Sequence, residues 1–146
     1  MNQLAEFLGN HPVLSGSLLV VLAAIAVNEW LIVRRGGTRV SAADAVRLIN
    51  DRDAQVIDLR AVADYKRGHI LNAINVPLAK LEGEMVKLQK KKDRPLVLCC
   101  ALGSVSLQAG AKLRAAGFSE VYPLTGGINA WQNAGLPVTA SKTSGK

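Results

Sequence analysis

Pro95-Leu96-Val97-Leu98-Cys99-Cys100-Ala101-Leu102-Gly103-Ser104-Val105-Ser106-Leu107-Gln108-Ala109 is an apolar run that breaks at a thiol, turns through small residues and resumes as a helical stretch. A short apolar segment bounded by Pro and a Gly-bearing turn reads as a buried strand. Cys100 stands where that strand meets the helix. Main-chain N–H groups converge there on the positive end of the helix, a setting that favours thiolate over thiol. Gly103 permits a backbone geometry that other residues resist. Ser106 is placed to cap the helix through its hydroxyl. A tight loop of this kind aims amides at a central anion. Cys99 points to the opposite face of the strand and reads as a buried, inert thiol. That plain reading fits Cys100 less well, because Cys100 ends the strand and opens the turn.

Outward from this stretch, strands and helices alternate. Ser41 is an N-cap with Asp44 three residues on, a capping-box variant, and Ala42 to Asn50 carries the stripe Ala45, Val46, Leu48, Ile49. Gln55 to Leu59 is a strand, Ala61 to Lys66 a helical turn ending at Gly68, and Ala73 to Val76 a second strand stopped by Pro77. Leu78 to Lys90 reads as one helix with Leu81, Met85 and Leu88 on a face. Leu96 to Cys99 is the third strand, Ser106 to Ala116 a helix closed by Gly117, and Val121 to Pro123 the fourth strand. Thr125 to Gly127 is a loop and Ile128 to Ala134 the last helix. The alternation predicts an α/β domain with a mainly parallel sheet flanked by helices. Sites in such sheets form where loops leave the carboxyl ends of strands, as at Cys100.

The chain of 146 residues suffices for one ordinary domain. Residues 13–33, VLSGSLLVVLAAIAVNEWLIV, carry Glu29 as their one charge. As a helix they span roughly 31 Å, about one bilayer core, and read as a single N-terminal transmembrane helix. Trp30 suits an interface, and Arg34 and Arg35 follow at once. A cleaved signal peptide would open with Lys or Arg, whereas the first twelve residues carry only Glu6 and His11. A core helix would show a polar face, nearly absent here. The expected organisation is a short extracytoplasmic N-terminus (1–12), the span (13–33), a linker (34–40), a folded domain (41–140) and a disordered polar tail (141–146).

All 18 Lys and Arg residues follow Val33, against 9 acidic ones in the same region. The positive-inside rule then puts the folded domain in the cytoplasm, and the plain architecture suggests a bacterial inner membrane. Lys87, Lys90, Lys91, Lys92 and Arg94 cluster without aromatic neighbours, which argues against nucleic acid; a cationic face against anionic lipid is the simpler account, and a merely solvated helix end is the alternative. Two adjacent cysteines make no disulfide framework, and with two His residues there is no Cys2His2 metal pattern. A cysteine phosphatase needs Arg six positions after its nucleophile, where this chain has Ser106. A thioredoxin-type site needs two intervening residues between its cysteines.

From about Val40 to Val138 the chain resembles a single-domain rhodanese, a sulfurtransferase fold. The resemblance rests on Val56-Ile57-Asp58-Leu59-Arg60, Asp64-Tyr65, Gly68-His69-Ile70 and Ala73-Ile74-Asn75-Val76-Pro77. It continues through the Cys100 to Ser106 loop, Gly117-Phe118, Leu124-Thr125-Gly126-Gly127, Trp131 and Gly135-Leu136-Pro137. Their order and spacing together are specific.

The resemblance implies that Cys100 takes a sulfane sulfur from a donor, thiosulfate or a protein persulfide. Held as a persulfide, that sulfur passes to a thiol or cyanide acceptor by double displacement. It implies no metal and no organic cofactor. The amides of Ala101, Leu102, Gly103, Ser104, Val105 and Ser106 would form the anion cradle. Asp58 and Arg60 match positions that brace the site, either as a structural ion pair or with a direct role. His69 reads as a structural polar residue before a general base. Many members of the family carry Arg where this chain has Val105, an Arg that helps hold anionic donors. Thiosulfate is therefore expected to be a poor donor. The rival reading is a membrane-tethered binding module that recruits partners, including a membrane protein, with a vestigial site.

Overall fold

The computed structural model describes residues 11–140, with side chains at all of these except 29–36. They fall into two units that divide between Arg34 and Arg35.

Helix α1, Pro12–Gly36, lies in the first unit up to Arg34. Its apolar side chains are uncovered: Leu18, Leu19, Val20, Val21 and Leu22 are each more than half exposed. Five successive residues project to every side of an α-helix, so no face of this stretch is polar. Among the described residues, no helix is long and apolar enough to cross a membrane. The expected span over 13–33 is thus not shown. The described side chains stop at Asn28, short of Val33 where the apolar run ends. The side chains of Glu29, Trp30, Arg34 and Arg35, most of the expected N-terminal segment and the expected tail lie outside the described residues.

The second unit runs through α2 (Ala42–Arg52), β1 (Gln55–Asp58), α3 (Val62–Arg67), β2 (Ile74–Asn75), a 3-10 turn (Leu78–Lys80) and α4 (Leu81–Gln89). It continues with β3 (Leu96–Cys99), α5 (Ser104–Ala115), β4 (Val121–Pro123) and α6 (Gly127–Asn133). The expected capping box starts α2: the Asp44 N–H donates to Ser41 Oγ at 3.1 Å, and that hydroxyl donates to the Asp44 carboxylate at 2.7 Å. Val40, expected in the linker, is already part of the fold. It is buried, bridges to Leu124, and donates its N–H to the Pro123 carbonyl at 3.0 Å.

The four strands form one parallel sheet in the order β2-β1-β3-β4. Every residue of β3 is fully buried, which explains its unbroken apolar sequence. Alternation along β3 divides the core. Leu96, Leu98 and Cys100 pack with Leu81 and Leu88 of α4 and with Ala109 and Leu113 of α5. Val97 and Cys99 pack on the other face with Ala45 of α2 and with Ile128 and Trp131 of α6. From β1 the chain crosses to β2 on one side, and from β3 it crosses to β4 on the other. The carboxyl ends of β1 and β3 therefore flank a topological switch point, where connections diverge and leave a crevice.

Candidate active site

Cys100 follows the last residue of β3 at that switch point and is 3% exposed. The turn after it brings Gly103 back over the sulfur, and the Gly103 N–H donates to Cys100 Sγ at 3.0 Å. Gly103 sits at φ +93, and a Cβ there would lie 2.8 Å from the Gly126 nitrogen. Only glycine satisfies both the dihedral and the space. Among the loop amides of the described residues, that of Gly103 is the one in hydrogen-bond contact with the sulfur.

Helix α5 starts at Ser104, two residues earlier than expected, with Gly103 in the cap position. Ser106 is therefore inside the first turn and does not cap through its oxygen. It is fully buried and donates its hydroxyl to the Gly103 carbonyl at 2.8 Å. A hydroxyl can donate as well as accept, and inside a tight turn the nearby carbonyl is its partner.

The start of α6 shapes the loop from behind. The Ile128 N–H donates to the Cys100 carbonyl at 2.8 Å and the Asn129 N–H to the Ala101 carbonyl at 3.4 Å. In a trans peptide the N–H points opposite to the C=O. Pinning these two carbonyls toward α6 turns the amides of Ala101 and Leu102 the other way. The approach requires Gly127, where a Cβ would come within 2.1 Å of the Cys100 oxygen. Ala101, Leu102 and Ser104 form the exposed rim, while Val105 is half-buried against the α4–α5 side of the core.

Asp58 and Arg60 reach the site from β1, where Asp58 is paired in register with Cys99. The buried Asp58 carboxylate accepts from the Arg60 main-chain N–H at 3.0 Å, which ends the strand. It also takes Arg60 Nε at 3.0 Å and Nη2 at 2.7 Å. Nη2 donates further to the Gly68 carbonyl at 2.7 Å. The hydrogen bond to Asp58 raises the Arg60 pKa despite burial. Burial, reinforced by Asp58, pushes the Cys99 thiol far above its ordinary value; Arg60 opposes this in part. Cys99 is a buried core thiol, as its place in the strand implied.

His69 is stacked on Tyr65 at 3.7 Å, and its Nδ1 lies 2.8 Å from the Tyr65 carbonyl. These are structural contacts. Asn75, which sequence reasoning did not single out, donates from Nδ2 to the Asp58 carbonyl at 3.1 Å and to the Arg60 carbonyl at 2.9 Å, fastening the end of β1. An amide side chain inside an apolar strand was the available signal. An apolar cleft of about 310 Å³ beside Trp131 and a polar one of about 490 Å³ beside Arg94 are not lined by Cys100 or its loop. Chemistry rather than cavity size marks the site. Among the described residues, no group of three His, Cys, Asp or Glu side chains could hold a metal ion.

A parallel α/β sheet with a thiol at its switch point, under a glycine amide and beside an ion pair of the buried Asp58 and the partly buried Arg60, defines a class of cysteine-centred α/β domain. Residues 41–134 match the rhodanese-like domain, and the chain belongs to that family. It is 32% identical over 143 residues to the protein YibN of Escherichia coli K12, covering 97% of this chain and all of YibN. It is 36% identical over 94 residues to a sulfurtransferase of Allochromatium vinosum, covering 64% of this chain and 86% of that one. Its fold is similar to the crystal structure of a rhodanese-related protein from Thermoplasma volcanium, with a TM-score of 0.65 and 29% identity over 71% of this chain and 99% of that one.

Proposed function

We propose that the chain is a sulfurtransferase that carries sulfane sulfur as a persulfide on Cys100. The observation that supports this most is the Gly103 N–H aimed at Cys100 Sγ, since such a donor suits a thiolate or a sulfur-bearing anion. In the first half-reaction the Cys100 thiolate attacks the outer sulfur of the donor. The donor's bond to that sulfur breaks, its electron pair leaves with the donor, and a Cys100–sulfur bond forms. With thiosulfate the leaving group is sulfite. In the second half-reaction a thiolate or cyanide attacks the outer sulfur and Cys100 leaves as thiolate. The amides of Ala101 and Leu102, turned away from α6, are left to receive the added sulfur. Asp58, Arg60 and Asn75 hold the β1 end in place beside it.

The test is thiocyanate formation from cyanide and a sulfur donor by the purified full chain. Ping-pong kinetics lost in Cys100→Ala support the proposal. Turnover that survives Cys100→Ala contradicts it.

The same proposal places α1 as a bilayer anchor, with the domain on the cytoplasmic side of a bacterial inner membrane. Support comes from the apolar side chains exposed on every side of α1 and from the run of 21 residues in which Glu29 is the one charge. The full chain should stay with carbonate-washed membranes. Recovery in the wash contradicts the anchor without touching the chemistry at Cys100.

A further inference from the structure

We infer that the cationic edge around Lys90, Lys91 and Lys92 rests on anionic lipid headgroups, leaving Cys100 on the side of the domain turned away from the bilayer. This rests on the reading of α1 as an anchor and adds a second, electrostatic contact to it. Between Lys87 and Arg94 the chain carries five cations against one acid, Asp93. Two of the five are neutralised: Lys87 pairs with Glu84 at 2.8 Å and Arg94 with Asp53 at 2.9 Å. Lys91 Nζ donates to the uncharged Gln55 side chain at 2.8 Å. Among the described residues, no carboxylate pairs with Lys90 or Lys92, and both are exposed. Three positive charges thus stand together without an ion pair.

Lys90 continues α4 in helical conformation. Val86, four residues earlier, therefore shares a face with it and is 77% exposed. An apolar side chain among lysines suits a headgroup boundary, where the first leaves water and the others meet phosphates. Arg94 leads into β3, so the cluster lies at the amino-terminal edge of the sheet. The chain enters the domain at that same edge. Gly37 abuts the Arg114 side chain, which donates to the carbonyl of Val121, the first residue of β4. From there the chain runs beside β4 to Val40, which bridges to Leu124. Lys92 reaches the start of β4 from the other side, its Nζ 5.9 Å from the Phe118 ring. Cys100 follows the opposite, carboxyl end of β3.

Each basic residue near an anionic leaflet strengthens binding about fivefold, and the three free lysines outnumber Asp93. Nucleic acid fits the edge less well, because its bases need an exposed ring to stack on and Phe118, the ring beside Lys92, is buried. With the lysines on lipid, the loop after β3 stays open to partners arriving from the aqueous side.

The full chain in nanodiscs tests this, with discs of phosphatidylcholine alone or of phosphatidylcholine mixed with phosphatidylglycerol. Amide hydrogen exchange is read by mass spectrometry. Amides of residues 86–94 should exchange about tenfold more slowly in the anionic discs, and about 1 M salt should remove the difference. Amides of residues 101–105 should exchange alike in both. Lys90→Gln combined with Lys92→Gln should abolish most of the slowing, whereas Lys90→Arg with Lys92→Arg should keep it. Side chains this exposed tolerate both pairs of changes without unfolding. Equal exchange of residues 86–94 in the two discs overturns the inference and leaves the anchor intact. Slowing that survives the glutamine pair, or that extends to residues 101–105, overturns it too. So does slowing by a DNA duplex added to the neutral discs when the anionic discs have no effect. Failure of the chain to enter either disc overturns the anchor and the inference together.

Discussion

The Gly103 amide lies 3.0 Å from Cys100 Sγ, and Gly103 is itself wedged against Gly126 at a positive φ. The contact to the sulfur therefore depends on a residue without a side chain. Gly103→Ala should cost about 1–3 kcal/mol of stability through the strained dihedral. It should also slow sulfur uptake about tenfold, because one hydrogen bond to the sulfur is lost. Urea unfolding and loading kinetics on the same sample separate the two effects. A stable variant with unaltered loading would show that this amide does not matter to the chemistry.

Asp58 is 1% exposed and the Arg60 side chain 12%, so neither tolerates loss of the other. Asp58→Asn leaves a guanidinium under-compensated near the core and should destabilise the domain by about 3–5 kcal/mol. Arg60→Lys keeps the charge but cannot hold Asp58 and the Gly68 carbonyl together. Its expected cost is smaller, and thermal melts should rank the two in that order.

Val105 is half-buried on the first turn of α5, the position at which the resemblance places an anion-holding Arg in many relatives. Val105→Arg adds a charge-assisted contact and should lower KM for thiosulfate about tenfold. An unchanged KM would sink this account of donor preference.

Order and type of the elements were legible because each periodic segment agrees with its place in the fold. The strand at Leu96–Cys99 and the cap at Ser41 came through as read. The misreadings have two causes, local turn geometry and contacts made by residues distant in sequence. The run from Leu78 opens as a 3-10 turn before α4, so the single expected helix is split. Ser106 looked like a cap because spacing alone does not show that the turn closes two residues earlier. The pinning of the Cys100 and Ala101 carbonyls by Ile128 and Asn129 depends on α6 arriving from the far end of the domain. Sequence could supply the glycines for that approach, not the approach itself.

Cys99 supplies a pH signature distinct from the chemistry. Its thiol pKa is raised by burial, so ionisation favours the unfolded chain. The stabilisation is fully present below the ordinary thiol value of 9.0 and is lost progressively above it. Above that pH the stability of the native chain should fall more steeply than that of Cys99→Ala, by up to about 1.4 kcal/mol per pH unit. Parallel slopes for the two proteins would mean that Cys99 titrates freely.

Most direct is the mass of the intact full chain after exposure to a persulfide donor, with the modified residue located by peptide mapping. A gain of one sulfur atom on Cys100, absent in Cys100→Ala and removed by cyanide, is the result expected of a sulfur carrier. A chain that gains no sulfur from any donor, or gains it at Cys99, would contradict the assignment.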